Sequence, residues 1–182
     1  MTNGPDFALW NRLAAECGFT HGWPLDARSL VFRDDVRLMC AEDRCHCYGR
    51  SWVCPPACGG VGEARRRASG YSRGILVQTV RSLDGSFDLK GINAAETAHN
   101  HSFDLLHEKL RASYPGLFAM GMGSCRRCAR CTYPDAPCRK PDLAVPPMEA
   151  YGLMVSDVCA ACGAKYGYGE GTVTFTSCFL LV

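Results

Sequence analysis

Thirteen cysteines are spread unevenly along this chain of 182 residues, and no other feature constrains it as strongly. Five lie between positions 40 and 58 (Cys40, Cys45, Cys47, Cys54 and Cys58). Four lie between 125 and 138 (Cys125, Cys128, Cys131 and Cys138), and Cys17, Cys159, Cys162 and Cys178 stand apart. An odd count leaves one thiol unpaired in any all-disulfide scheme. The opening MTNGPDFALWNRLAAECGF reads as a short amphipathic helix, not as the basic-then-apolar leader of a secreted disulfide scaffold. Metal or cluster ligation in a reducing cytoplasm is therefore expected.

With Lys+Arg 20 against Asp+Glu 18, the net charge of +2 offers no basic field for nucleic acid. No run of about 18 apolar residues is present, so no membrane span is expected. The length suits one domain, 1–182, with a core of its own.

Along the chain, residues 6–17 place Phe7, Trp10, Leu13 and Ala14 near helical spacing, with Gly18 as the stop. Residues 19–25 read as extended, and Pro24 assigns them to a sheet edge. Residues 62–69 suggest a short Arg-rich helix whose Arg65, Arg66 and Arg67 face solvent. Residues 75–80 read as a buried strand followed by the turn signal Asp84-Gly85. From 93 to 113, Ala95, His99, Phe103, Leu106 and Leu110 recur at spacings of three and four. This pattern makes His99 a hydrogen-bonded core histidine and turns His101 and His107 outward. Residues 117–120 suggest a short strand, 148–162 a helix, and 172–182 a final alternating strand. The class is α+β, a single-domain sheet with one layer of helices packed on it, ferredoxin-like in outline and carrying two cysteine-rich metal-binding loops.

The second cysteine group is the sharper signal. Cys125, Cys128 and Cys131 at i, i+3 and i+6 wrap a loop so that three thiolates converge, as the iron-capping run of a cubane cluster requires. Cys138 is the nearby fourth candidate. Zinc prefers two C-x-x-C pairs; pairing Cys125 and Cys128 with Cys159 and Cys162 would leave Cys131 unemployed. The first group holds more thiols than one metal needs, and its spacing admits a cluster, zinc or other roles. Cys17 and Cys178 suit buried core positions. Cys159 and Cys162 fit either the core or a missing ligand, and their place at a helix C-terminal end disfavours thioredoxin-like chemistry. Arg126, Arg127, Arg130, Arg139 and Lys140 surround the second group. They would raise a cluster's potential and steer an acidic partner, or else form a solvated basic loop.

The stretch Cys40…Cys45-x-x-Tyr48-Gly49-x-x-Trp52-x-Cys54-Pro55-Pro56 resembles the opening motif of the DUF2284 family of predicted metal-binding proteins. The resemblance continues through Gly121-x-Gly123-x-Cys125-x-x-Cys128-x-x-Cys131…Pro137-Cys138-Arg139-x-Pro141, Met148-Glu149-Ala150-Tyr151-Gly152 and the closing Gly171-Thr-Val-Thr. It implies a small cytoplasmic protein of redox-rich metabolism. It also implies iron–sulfur binding, with Cys40, Cys45 and Cys54 at one centre and Cys125, Cys128, Cys131 and Cys138 at another. Pro147, Cys47 and Cys58 depart from the family pattern. Cys58 is expected to complete the first centre, with Cys47 as the alternative. The leading expectation is an electron carrier with two [4Fe–4S] clusters serving a partner enzyme. The alternatives are an iron–sulfur enzyme with an open iron acting on a small substrate, and a zinc-stabilised interaction module. His46 and Glu149 are the only candidate bases near the cysteines, which favours the carrier.

Overall fold

The computed structural model describes residues 5–85 and 88–182. Four strands, β1 (His21–Asp26), β2 (Arg73–Ser82), β3 (Phe118–Met120) and β4 (Thr172–Leu180), form one antiparallel sheet in the order β1-β2-β4-β3. Pro24 sits in edge strand β1, where its missing N–H costs no ladder bond on the open side. At the centre, Ile75, Leu76 and Val77 of β2 are each 0% exposed, and a strand buried on both sides needs cover on both faces.

That cover comes from helices on both sides of the sheet, where the sequence pattern suggested one layer. Helices α1 (Pro5–Glu16) and α4 (Leu89–Ser113) pack Trp10, Ala14, Phe103 and Leu106 against Ile75, Val77 and Phe179. Helices α3 (Val61–Ala68) and α5 (Val155–Cys162) pack Val61, Ala64 and Val158 against Leu76, Cys178 and Leu180 on the other face. The α+β class stands, and the alternation along β4 divides the two cores. Gly74 is required where β2 meets β4, because a Cβ there would run into Phe179 O.

Three expectations are corrected. The helix expected over 148–162 is broken into a 3-10 turn, Glu149–Tyr151, and α5. Gly152 between them takes φ 84°, and a side chain there would strike Arg33 O. Phe32 also bridges Leu153, and Arg33 N–H donates to Gly152 O at 2.8 Å, so backbone pairing displaces the helical turn. His107 is buried, not exposed. It lies one turn after Phe103, and its ring stacks near those of Phe103 and Phe179 at 5.9 and 6.3 Å. Arg65 and Arg67 are not simply solvated: they reach Phe32 O at 2.6 Å and Leu117 O at 3.3 Å.

Among the remaining cysteines, Cys17, Cys159, Cys162 and Cys178 are all buried in the two cores. His99 is fully buried on the apolar face of α4, its Nδ1 2.9 Å from Thr79 Oγ1 and its Nε2 2.8 Å from Ser177 Oγ. Burial holds its pKa down to about 3. The imidazole is thus neutral when folded and takes a proton near 6.5 when unfolded. Its contribution is whole above pH 6.5 and is lost as pH falls toward 3, at about 1.4 kcal/mol per pH unit. Between pH 7 and 4.5, the wild-type chain should lose about 2–3 kcal/mol more urea stability than His99→Gln. Equal losses would assign the acid sensitivity to other groups.

Candidate metal centres

The first cysteine loop begins where α2 (Asp34–Met39) ends in the 3-10 turn Cys40–Glu42. Asp43 then takes a left-handed φ of 49°, a conformation a short polar side chain tolerates. Its carboxylate accepts the Tyr48 N–H at 2.9 Å and the Arg50 guanidinium at 3.4 Å. Gly49, at φ 63°, donates its N–H to Pro55 O at 2.7 Å. These bonds fold residues 43–55 back on themselves and return Cys45 and Cys47 to the neighbourhood of Cys54.

The second loop leaves β3 through Gly121, which bridges Pro147 and accepts the Met148 N–H at 3.2 Å. Two arginines between its cysteines anchor it to α4: Arg126 pairs with Glu96, and Arg127 pairs with Asp104. Glu96 and Asp104 are eight residues apart, so two turns of helix present both carboxylates on one side. The Thr132 hydroxyl donates to Pro137 O at 2.9 Å, and Arg139 donates to Arg130 O at 2.9 Å, which curls Cys138 toward the other three thiols.

Trp52 joins the two loops. Its indole N–H donates to Ala136 O at 3.2 Å, and its ring meets Tyr133 edge-on with centroids 5.0 Å apart. The clasp leaves two neighbouring cavities. One, of about 300 Å3, is lined by Cys40, Cys45, Cys47 and Cys54, with Val36, Met39, Glu149 and Met154 also in its wall. The other, of about 210 Å3, is lined by Cys125, Cys128, Cys131 and Cys138, together with Cys47, His46, Arg127 and Arg139. Cys47 and Ser124 line both. Cys58 does not line the first cavity; its sulfur lies 3.9 Å from Ala150 O. As the side chains stand, no three His, Cys, Asp or Glu among the described residues converge on a single-ion site.

The two groups differ in electrostatics. Burial pushes the Cys54 thiol up to about 11. Cys40 is raised by burial and then by Glu149 and Cys45, and Cys58 is raised by burial against the pull of Arg37. Cys47 is raised by burial, with Ser124 hydrogen bonding in opposition. Glu149 faces its cavity, yet the surrounding protein desolvates its carboxyl and raises it. In the second loop Cys131 is lowered, chiefly by main-chain hydrogen bonding from Tyr133, then from Trp52 and Thr132, with Arg139 nearby. A ligating thiol must lose its proton, so the second loop holds the readier donor.

A family model described as a predicted metal-binding protein matches residues 24–181. The chain belongs to the DUF2284 family. No curated protein and no solved structure matches it. The match spans both cysteine loops of this DUF2284 chain. The supporting residues were harder to find in the sequence. Ser124 carries no motif of its own. Glu96 and Asp104 were detectable only as two carboxylates sharing one side of a helix, with no hint of which arginines they meet.

Thiolate, not thiol, reacts with alkylating agents. In the reduced, metal-free DUF2284 chain at neutral pH, iodoacetamide should label Cys131 before Cys54, and Cys162 and Cys178 last. Burial holds Cys162 up at about 12 and pushes Cys178 well above the ordinary thiol range, while Cys131 is lowered. Mass spectrometry of timed digests reads the order. Labelling of Cys54 ahead of Cys131 would contradict the assigned environments.

Proposed function

We propose that this protein is an electron carrier holding two [4Fe–4S] clusters, one in each cysteine-lined cavity. The second cluster would take Cys125, Cys128, Cys131 and Cys138. The first would take Cys40, Cys45 and Cys54, with Cys47 as the fourth thiolate because it lines that cavity, and Cys58 as the alternative. The observation that carries the reading is that the three thiols of the i, i+3, i+6 loop and that of Cys138 line one space of about 210 Å3. Such clusters, when bound, exchange single electrons.

The chain's own residues fit that role. Cys47 and Ser124 stand in the wall common to both cavities, which leaves a short path between the two sites. Arg127 and Arg139 line the second cavity and favour a more negative occupant, hence the reduced state. Arg126 and Arg127 are already paired with carboxylates of α4, so Arg130, Arg139 and Lys140 remain to meet an acidic partner surface. One observation favours a second reading, an enzyme acting on a small substrate. The first cavity is the roomier of the two and presents the desolvated carboxyl of Glu149 beside its thiols.

Iron, acid-labile sulfide and zinc should be quantified on anaerobically isolated protein, with visible absorption and EPR on the same sample. The expected result is a brown protein with about eight iron and about eight sulfide per chain. A colourless protein with stoichiometric zinc and no sulfide would remove both the carrier and the iron–sulfur enzyme.

A further inference from the structure

A third cavity, of about 570 Å3, lies between α3, α4 and residues 141–146, and no cysteine lines it. It is larger than either cysteine-lined space and falls within the range of small-molecule sites. Its polar wall is built from three separate elements: Arg67 of α3, His107 and Arg111 one turn apart on α4, and Tyr151 of the 3-10 turn. Leu117, Ala119 and Val145 supply an apolar surface beside them.

Both guanidinium groups are held but not neutralised. Arg67 lies 4.2 Å over the centroid of the Phe118 ring and donates one N–H to Leu117 O at 3.3 Å. Arg111 donates one N–H to Asp142 O at 3.2 Å. A guanidinium has five N–H donors, so each retains most of its fork. Among the described residues, neither forms an ion pair with a carboxylate, in contrast to Arg126 and Arg127 of the cysteine loop. Asp142 is the one carboxylate residue in the lining, and it engages Arg111 through its main chain. Burial, and after it Arg111 and Arg127 against the opposing Asp104, lowers the His107 pKa. Two fixed, unneutralised guanidinium groups facing one cavity match the fork geometry that takes carboxylate or phosphate oxygens in pairs.

We propose that this cavity binds a small organic oxyanion, with its charged group taken by Arg67 and Arg111 and its carbon body laid on Leu117, Ala119 and Val145. Ala144 lines both this cavity and the one holding Cys125, Cys128, Cys131 and Cys138. A bound anion would therefore sit one chain segment from the second cysteine site. The binding itself does not depend on which metal that site holds.

The test uses the protein as isolated, at fixed ionic strength, with thermal unfolding and calorimetric titration against inorganic phosphate, succinate and the uncharged isostere succinamide. At least one anion should bind saturably and raise the midpoint, and succinamide should not. Binding by phosphate alone would mark a phosphate ester as the ligand class, and binding by succinate alone an organic acid. Arg111→Gln should weaken the binding at least tenfold, with metal content and visible spectrum unchanged; Arg67→Gln serves if that variant does not fold. The comparison of succinate with succinamide on the wild-type chain stands even if neither variant folds. The proposal is overturned if neither anion binds, if succinamide binds as well as succinate, or if the variants bind like the wild type.

Discussion

The contact of Trp52 with the second cysteine loop ties together the two loops that carry the cysteine-lined cavities. Trp52 and Ala136 are 84 residues apart, and nothing local holds their loops together. The indole donates its N–H to the Ala136 carbonyl, and its ring packs edge-on against Tyr133. A tryptophan suits this position because one rigid side chain supplies both a donor and a large apolar surface. The result is two cavities with a common wall at Cys47 and Ser124, where two unconnected loops would otherwise leave nine thiols scattered.

The sheet makes that clasp possible. Burial of β2 holds α3 and α5 on one face of the sheet and α1 and α4 on the other, and α2 and β3 lead into the two cysteine loops. Glu96 and Asp104 on α4 hold Arg126 and Arg127, and the bridges from Phe32 to Leu153 and from Gly121 to Pro147 hold the loop ends. Loops rich in deprotonated thiols repel themselves in the absence of a cation, so their scaffold must come from elsewhere in the chain. Here it comes from charge pairs and backbone bonds that do not use the sulfurs. The long helix therefore serves two ends: its buried side carries His99 and Phe103, and its carboxylates anchor the second loop.

The strands and most helices were legible because burial imposes a period on the sequence. Ile75, Leu76 and Val77 announce a covered strand, and Ala95, His99, Phe103, Leu106 and Leu110 announce a helix face. The DUF2284 membership was also legible, since the cysteine and glycine spacings of both loops are local. Long-range geometry was not. Nothing in the order of residues tells that Gly152 must pass against Arg33 O and so end a helical turn, or that His107 lies beneath its neighbours instead of facing water. Arg67 looked like one charge in a solvated run, and only the fold sets it over Phe118. For the same reason the sulfurs of the first group could be counted from sequence, while the difference between Cys47, in the cavity wall, and Cys58, against Ala150 O, could not be read.

The proposal that the two loops hold two separate but adjoining metal sites is decided by metal content in three variants prepared without oxygen: Cys40→Ser, Cys125→Ser and the pair combined. Cys40 lines only the first cavity and Cys125 only the second. Each single variant should retain about half of the wild-type metal, and the combined variant should retain almost none. Complete loss in both folded single variants would mean one shared centre, and full retention in either would mean that its cavity binds no metal.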